Sequence, residues 1–304
     1  MATDPVVVAV VGATATGKSA LALALAGEIG GEIVNADAMQ LYRGMDVGTA
    51  KVAVGERRGI PHHQLDVLEV TQEASVAAYQ AAARADLDAI AARGRVPILV
   101  GGSGLYVRAA LDALDIPPTD AAVRARWEAY AAAHGPEATH RALADRDPAA
   151  ARDILPANVR RTVRALEVIE LTGAPFAARL PQRAYRRPTL TLGLSLARAV
   201  VDHRIGLRTE RMWADGLVEE VRRLDARGLR AGRTAAQAIG YRQALDQIDG
   251  RLTRAEAIAE TVRATRRYVR RQESWLRPDA RIHWLDADAP DLVAHALEAI
   301  REHG

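Results

Sequence analysis

The chain opens on an unbroken apolar run, Val6–Val11, followed by a glycine-bearing loop and an alanine- and leucine-rich stretch that reaches Gly30-Gly31. A continuous β-branched run predicts a strand buried on both faces, and the stretch after the loop predicts a helix stopped by glycine. Apolar runs at Glu32–Ala36, Gln64–Leu68 and Pro97–Val100, with a helical pattern over Val76–Ala92 before the last, continue the alternation. Strands and helices in this order predict an α/β fold built on a doubly wound parallel sheet.

From about Leu111 to Arg187 the strand-like runs stop, and alanine- and arginine-rich helical segments follow one another between prolines at 117, 118, 136, 148, 156, 175 and 181. The pattern predicts a smaller all-helical insertion domain at 111–187, which leaves a discontinuous core at 1–110 and 188–304. Strand patterning returns at Leu190–Leu196 and in "RIHWLDA", ahead of a C-terminal helix, and no internal repeat or long low-complexity linker interrupts it.

At 304 residues and 49% hydrophobic content the chain is large enough for both domains. The absence of cysteine excludes disulfides, Cys-ligated zinc or iron–sulfur sites and a thiol nucleophile. The N-terminus has no signal pattern, and no apolar stretch approaches the ~20 residues of a membrane span, so a cytoplasmic protein without membrane association is expected. The lack of a long exposed apolar stripe predicts a monomer. The net charge of +3 is unevenly spread: residues 1–100 carry 8 Lys+Arg against 11 Asp+Glu, whereas 155–190 carry 7 Arg against 2 Glu. A basic region of this kind suits a polyanion such as nucleic acid, although arginine-rich composition alone also produces solvated basic faces.

Only two lysines occur, Lys18 and Lys51, and the first lies in "GATATGKS", residues 12–19. A glycine, four residues and Gly-Lys-Ser between a strand and a helix is the spacing of a phosphate-binding loop. Its backbone amides from Gly12, Ala13, Thr14, Ala15, Thr16 and Gly17 to Ser19 are expected to cradle two phosphates, with Lys18 neutralising them and Ser19 Oγ able to ligate Mg²⁺. The loop does not specify the reaction. In "PILVGGSG" two glycines stand where an ATPase usually carries a magnesium-positioning acid, whereas Asp37 closes "EIVNAD" at the end of the second strand and is placed to act as a general base. His62-His63 resembles a metal pair, but adjacent strand residues point to opposite faces and no third ligand is evident, which favours packing or hydrogen bonding.

Seven motifs in order, "GATATGKS", "NADAMQLYRGMDVGTAK", "IPHHQLDV", "GGSGLYVRAAL", "VRRTVRALEV", "QAIGYRQ" and "TRRYVRRQESWLR", give the chain a resemblance over almost its whole length to the bacterial tRNA dimethylallyltransferases, or isopentenyltransferases. Where that family commonly has Pro, Thr and Ser, this chain has Ala13, Ser19 and Ala38. Ser19 keeps a hydroxyl, and Ala38 loses one. The resemblance implies that the loop holds the diphosphate of dimethylallyl diphosphate as a leaving group, and that the five-carbon unit moves to the exocyclic N6 amine of an adenine next to the tRNA anticodon. It further implies that Asp37, Ala38, Met39 and Gln40 contact that adenine, that Ser103 approaches it from the opposite lip, and that Arg208 and Arg211 reach the diphosphate.

For the anticodon stem-loop, the expected clamp is the helical insertion, with Arg160, Arg161, Thr162, Val163 and Arg164 on one helix and Arg124 and Arg126 on another. By resemblance, Gln237, Gly240, Tyr241 and Arg242 of "QAIGYR" also lie against RNA. The helical pattern Thr253–Arg277 sets Ile258, Val262, Thr265, Val269 and Leu276 opposite Arg263, Arg266, Arg267, Arg270 and Arg271, which either meet RNA phosphates or pair with carboxylates. A small-molecule kinase, a transferase acting on free adenine nucleotides and a non-catalytic RNA-binding protein are the rival readings. The basic insertion weighs against the first two and the intact phosphate loop against the third.

Overall fold

A computed structural model of the chain describes residues 6–176 and 183–303. The elements run β1 (Val7–Gly12), α1 (Lys18–Ile29), β2 (Gly31–Asn35), β3 (His62–His63), α2 (Val76–Ala92), β4 (Val96–Gly101) and α3 (Gly104–Leu111). Three helices follow, α4 (Ala121–Ala144), α5 (Pro148–Asp153) and α6 (Val159–Thr172), before β5 (Thr189–Ser195) returns to the sheet. The chain then forms α7 (Arg198–Ala214), α8 (Leu217–Asp225), α9 (Tyr241–Ile248), α10 (Arg254–Leu276), β6 (Ile282–Asp286) and α11 (Leu292–His303).

Among the described residues the sheet has six strands in the order β3-β2-β4-β1-β5-β6, every neighbouring pair parallel. The valine run predicted as a doubly buried strand becomes β1, buried at all six positions in the middle of the sheet. One face of the sheet packs Val8, Val10, Ile98 and Leu192 against Leu21 and Leu25 of α1 and Ala296 and Ala299 of α11. A separate apolar cluster joins Tyr42 and Met45 to α7, α8 and α9. At the start of α10 Thr253 and Glu256 form a reciprocal capping box, which fixes where that long helix begins.

One expected strand is displaced. Gln64–Leu68 is not a strand, because Gln64 and Asp66 take left-handed φ values of 58° and 57° and turn the chain out of the sheet. The edge strand is instead His62–His63, paired with Ile33 and Val34.

The chain divides into two compact units, Met1–Asp112 with Tyr185–Gly304, and Ala113–Ala184. The helical unit is therefore slightly shorter than the 111–187 expected from the loss of strand patterning. Leu111 and Asp112 are buried in the core unit, where Asp112 accepts from Arg108 Nε at 2.6 Å and Arg281 Nη1 at 2.9 Å. Arg281 also lies over the Tyr185 ring at 3.8 Å, and Arg186 N–H donates to the Leu111 carbonyl at 2.9 Å. The helical unit has its own core of Leu143, Ala150, Ala151, Ile154, Ala165 and Leu166. Its Glu167 is fully buried and accepts from Arg164, the Asp120 amide and Arg124. Burial alone would raise the Glu167 pKa, but these donors hold it below the ordinary carboxylate value.

Candidate active site

Gly17, at φ 90°, turns the chain from the loop into α1, so Lys18 and Ser19 stand in the first helical turn. Ala15 takes φ 69°, a conformation non-glycine residues rarely adopt. Two bonds brace the loop around it, Thr16 Oγ1 to the Ala13 carbonyl at 2.9 Å and Lys18 Nζ to the same carbonyl at 2.7 Å. The Thr14 amide, expected to face phosphate, instead donates to Gln272 Oε1 of α10 at 2.9 Å.

At the neighbouring strand end, Asn35 accepts the Asp37 amide at 2.9 Å and donates to the Asp37 and Gln64 carbonyls, each at 2.9 Å. Asp37 Oδ1 in turn accepts the Met39 amide at 2.9 Å. One asparagine thus sets the turn that aims the Asp37 carboxylate. Gln64 and Asn35 were both missed by sequence reasoning, since the apolar pattern around Gln64 suggests a strand.

An open cavity, whose empty space of about 680 Å³ includes its mouth to solvent, is lined by Thr14, Lys18 and Ser19 from the loop, Asn35, Asp37 and Gln40 beyond β2, Thr49 and Ala50, Gly101 and Gly102, and Arg208 of α7. Burial depresses the Lys18 ammonium to about 8, with Asp37 opposing the shift and Arg208 reinforcing it. Burial likewise lowers Arg208, again opposed by Asp37. Two cations confined with one carboxylate favour an anionic ligand. Arg208 Nη2 and Gln40 Nε2 both donate to the Thr49 carbonyl, at 3.3 and 3.2 Å.

The glycines after β4 leave the far side of the cavity without a carboxylate. A Cβ on Gly102 would run into the Gln272 amide, and Ser103 Oγ lies 3.3 Å from Tyr268 Oη. Tyr268 and Gln272, one turn apart on α10, therefore tie the Ser103 lip to the phosphate loop. Their i, i+4 spacing is present in "TRRYVRRQESWLR", among arginines that carry the stronger sequence signal. His62 Nδ1 bonds to the Ile60 carbonyl and His63 Nε2 to Glu32, each at 2.8 Å, and no cluster of three metal-ligating side chains occurs among the described residues. His63 is thus engaged with Glu32, while His62 also lines the cavity.

A family described as IPP transferase matches residues 40–279. The chain is 61% identical over 295 residues to the tRNA dimethylallyltransferase of Salinispora arenicola, covering 97% of this chain and 86% of that protein. The chain belongs to the IPP transferase family. Among solved structures, the full-length tRNA isopentenylpyrophosphate transferase from Bacillus halodurans matches at 37% identity and a TM-score of 0.71 over 98% of both chains. A eukaryotic dimethylallyltransferase described as acting on tRNA matches at 26% identity and a TM-score of 0.82, over 97% of this chain and 77% of that one.

The remaining residues expected to serve an IPP transferase divide by exposure. Arg208 lines the cavity, whereas Arg211 points to solvent outside its lining. Ala38, Met39 and Gln40 are partly exposed beside Asp37. In the helical unit Arg160 and Arg161 are exposed, but Thr162 and Val163 are buried and offer RNA no side-chain surface. Arg124 and Arg164 are committed to Glu167, and Arg126 pairs with Glu170. In "QAIGYR", Gln237 and Arg242 are exposed, while Gly240 and Tyr241 are buried, so the tyrosine side chain presents no surface in this structure. Along α10 the structure separates two groups of arginine: Arg263 and Arg266 pair with Glu260 and Asp202, whereas Arg267, Arg270 and Arg271 are exposed without an ion pair among the described residues.

Proposed function

We propose that this protein transfers a dimethylallyl group from dimethylallyl diphosphate to the N6 amine of the adenine on the 3′ side of the anticodon in tRNAs, releasing diphosphate. The carrying observation is that one cavity is lined by the phosphate loop, by Arg208 and by the Asp37 carboxylate. A phosphate site and a base thus face the same space. Ionisation of the allylic C–O bond builds negative charge on the departing oxygens, which Lys18, Arg208 and the loop amides stabilise more in the transition state than in the ground state. The adenine amine is a weak nucleophile because its lone pair is delocalised. Asp37 orients it and accepts its proton as the C–N bond forms.

Mg²⁺ fits the donor set. Ser19 Oγ is exposed on the first turn of α1, and a hydroxyl with substrate phosphate oxygens and water is the environment in which Mg²⁺ commonly binds. Bound there, the ion would neutralise diphosphate charge. The acceptor base must leave its stack to reach the cavity, at a cost of a few kcal/mol. Arg160 and Arg161 of the helical unit and Arg267, Arg270 and Arg271 of α10 supply the cations that hold the flanking RNA. No helix among the described residues is long and apolar enough to cross a membrane. A cytoplasmic monomer acting on tRNA completes the reading.

The test is incubation with isotopically labelled dimethylallyl diphosphate and unmodified tRNA, an adenosine nucleotide, or no acceptor. Label is expected in tRNA alone. Label in the free nucleotide, or phosphoryl transfer from ATP to a small acceptor, would overturn the reading.

A further inference from the structure

Gly240 and Tyr241 belong to a motif assigned to RNA by resemblance, yet both are buried, and a carboxylate elsewhere accounts for the tyrosine. Glu220 of α8 is 3% exposed. Its Oε2 accepts the amides of Asp46 at 3.1 Å and Val47 at 2.9 Å, and its Oε1 accepts Tyr241 Oη–H at 2.6 Å and the Gly48 amide at 3.4 Å. Three consecutive backbone donors and a phenol therefore converge on one buried anion. Bonds to a charged acceptor are about twice as strong as neutral ones, so the arrangement is rigid. Burial foremost, and Glu220 beside it, push the Tyr241 phenol well up, which keeps it a donor.

The same contact fixes the shape of the loop. A Cβ on Gly48 would fall 2.7 Å from Tyr241 Cζ, so the backbone approaches the ring as closely as only glycine allows. At the other end of the loop Lys51, its side chain 3% exposed, pairs with Asp46 at 2.7 Å and Asp66 at 2.6 Å. An anion thus holds residues 46–48, and a cation holds residue 51. Between them lies Thr49, whose hydroxyl donates to the Met45 carbonyl at 2.6 Å and whose own carbonyl receives Arg208 and Gln40 at the cavity wall.

We infer that Glu220 and Tyr241 are positioning residues for the diphosphate site: through the 46–49 loop they fix the Thr49 carbonyl, and with it the guanidinium of Arg208. The inference rests on the cavity being the diphosphate site. It gives the "GYR" of "QAIGYR" a role on the donor side of the reaction. The cost of its loss should appear as weaker donor binding transmitted through Arg208.

The experiment is calorimetric titration of inorganic pyrophosphate with Mg²⁺ onto the full-length protein carrying Tyr241→Phe or Glu220→Gln, each alone and combined with Arg208→Ala. Each single variant is expected to weaken pyrophosphate by about 3- to 10-fold, the worth of one hydrogen bond, and to raise the KM for dimethylallyl diphosphate by a similar factor. kcat should fall alongside it, because Arg208 also stabilises the departing diphosphate, while the KM for tRNA stays within about twofold. In the Arg208→Ala background neither variant should cost anything further. A general loosening of the fold would instead lower affinity equally in both backgrounds, and that result, or unchanged affinity in Tyr241→Phe, overturns the inference while leaving the site reading intact. Should Glu220→Gln fail to fold, Tyr241→Phe decides alone, because it keeps the ring against Gly48. Full pyrophosphate affinity in Arg208→Ala itself would remove both the inference and the assignment of Arg208 to the diphosphate.

Discussion

Replacing Lys18 by methionine should make the ligand-free protein more stable while destroying its affinity for diphosphate. The ammonium is depressed from 10.5 to about 8, mainly by burial, which corresponds to roughly 3 kcal/mol of unfavourable free energy for the charged form in the native state. Methionine keeps the length of the side chain and removes the charge, but forfeits the bond to the Ala13 carbonyl, worth about 1 kcal/mol. The expected net gain at pH 7 is about 1–3 kcal/mol. Below pH 8 the lysine is protonated in both native and unfolded chains, and the penalty is present in full. Between about 8 and 10.5 the native chain has released the proton that the unfolded chain still holds, so wild-type stability rises with pH through this window. Urea unfolding of both proteins from pH 7 to 10.5 reads the difference, which should be largest at pH 7 and close at the alkaline end. Diphosphate binding at pH 8.5 should also draw a proton onto Lys18, visible as a buffer-dependent heat of binding. A Lys18→Met protein less stable than wild type at pH 7, or a gap independent of pH, would refute the argument that this lysine is held at a cost for its ligand.

Asp37→Ala should lower single-turnover transfer by ~10² or more, the usual effect of losing a general base, while tRNA affinity measured by filter binding stays within a few-fold. Unchanged single-turnover rates would exclude Asp37 from the chemistry. Combined Arg267→Glu, Arg270→Glu and Arg271→Glu should weaken tRNA and flatten the slope of log affinity against log salt by up to about 2, with the KM for dimethylallyl diphosphate unaffected. A slope equal to wild type would return these arginines to solvent-facing residues. Glu167→Ala leaves Arg124 and Arg164 without their shared carboxylate and should cost about 3 kcal/mol in denaturant unfolding of the helical unit; a loss below 1 kcal/mol would show that the cluster contributes little.

The sheet was legible because its strands are buried on both faces, and continuous apolar runs such as Val6–Val11 have no competing reading. Gln64–Leu68 misled because alternating apolar residues also suit an extended loop, and the positive φ at Gln64 leaves no mark in residue type, while Asp66, of a type enriched at such φ, is a weak signal on its own. The phosphate loop and Asp37 were readable from local spacing. Its partners were not: Gln272 reaches the loop from 258 residues away, and Glu220 reaches Asp46 across 174. The motif "VRRTVRALEV" names a helix but not its faces, and only the fold shows Thr162 and Val163 turned inward while Arg160 and Arg161 remain outside. Arginine content alone could not separate Arg124, which serves Glu167, from Arg270, which is exposed and unpaired among the described residues.

The excursion that carries the three middle helices leaves and rejoins the sheet domain at almost one point. Asp112 bridges to Tyr185, the Ala113 amide reaches the Ala184 carbonyl at 2.7 Å, and Arg281 staples Asp112 beside Tyr185. A detour whose two ends touch can be shortened, replaced or excised with a brief linker without stretching the β-sheet on which it is hung. The helical module can therefore diversify in evolution, or be exchanged in the laboratory, while the strands and loops that line the cavity stay in register.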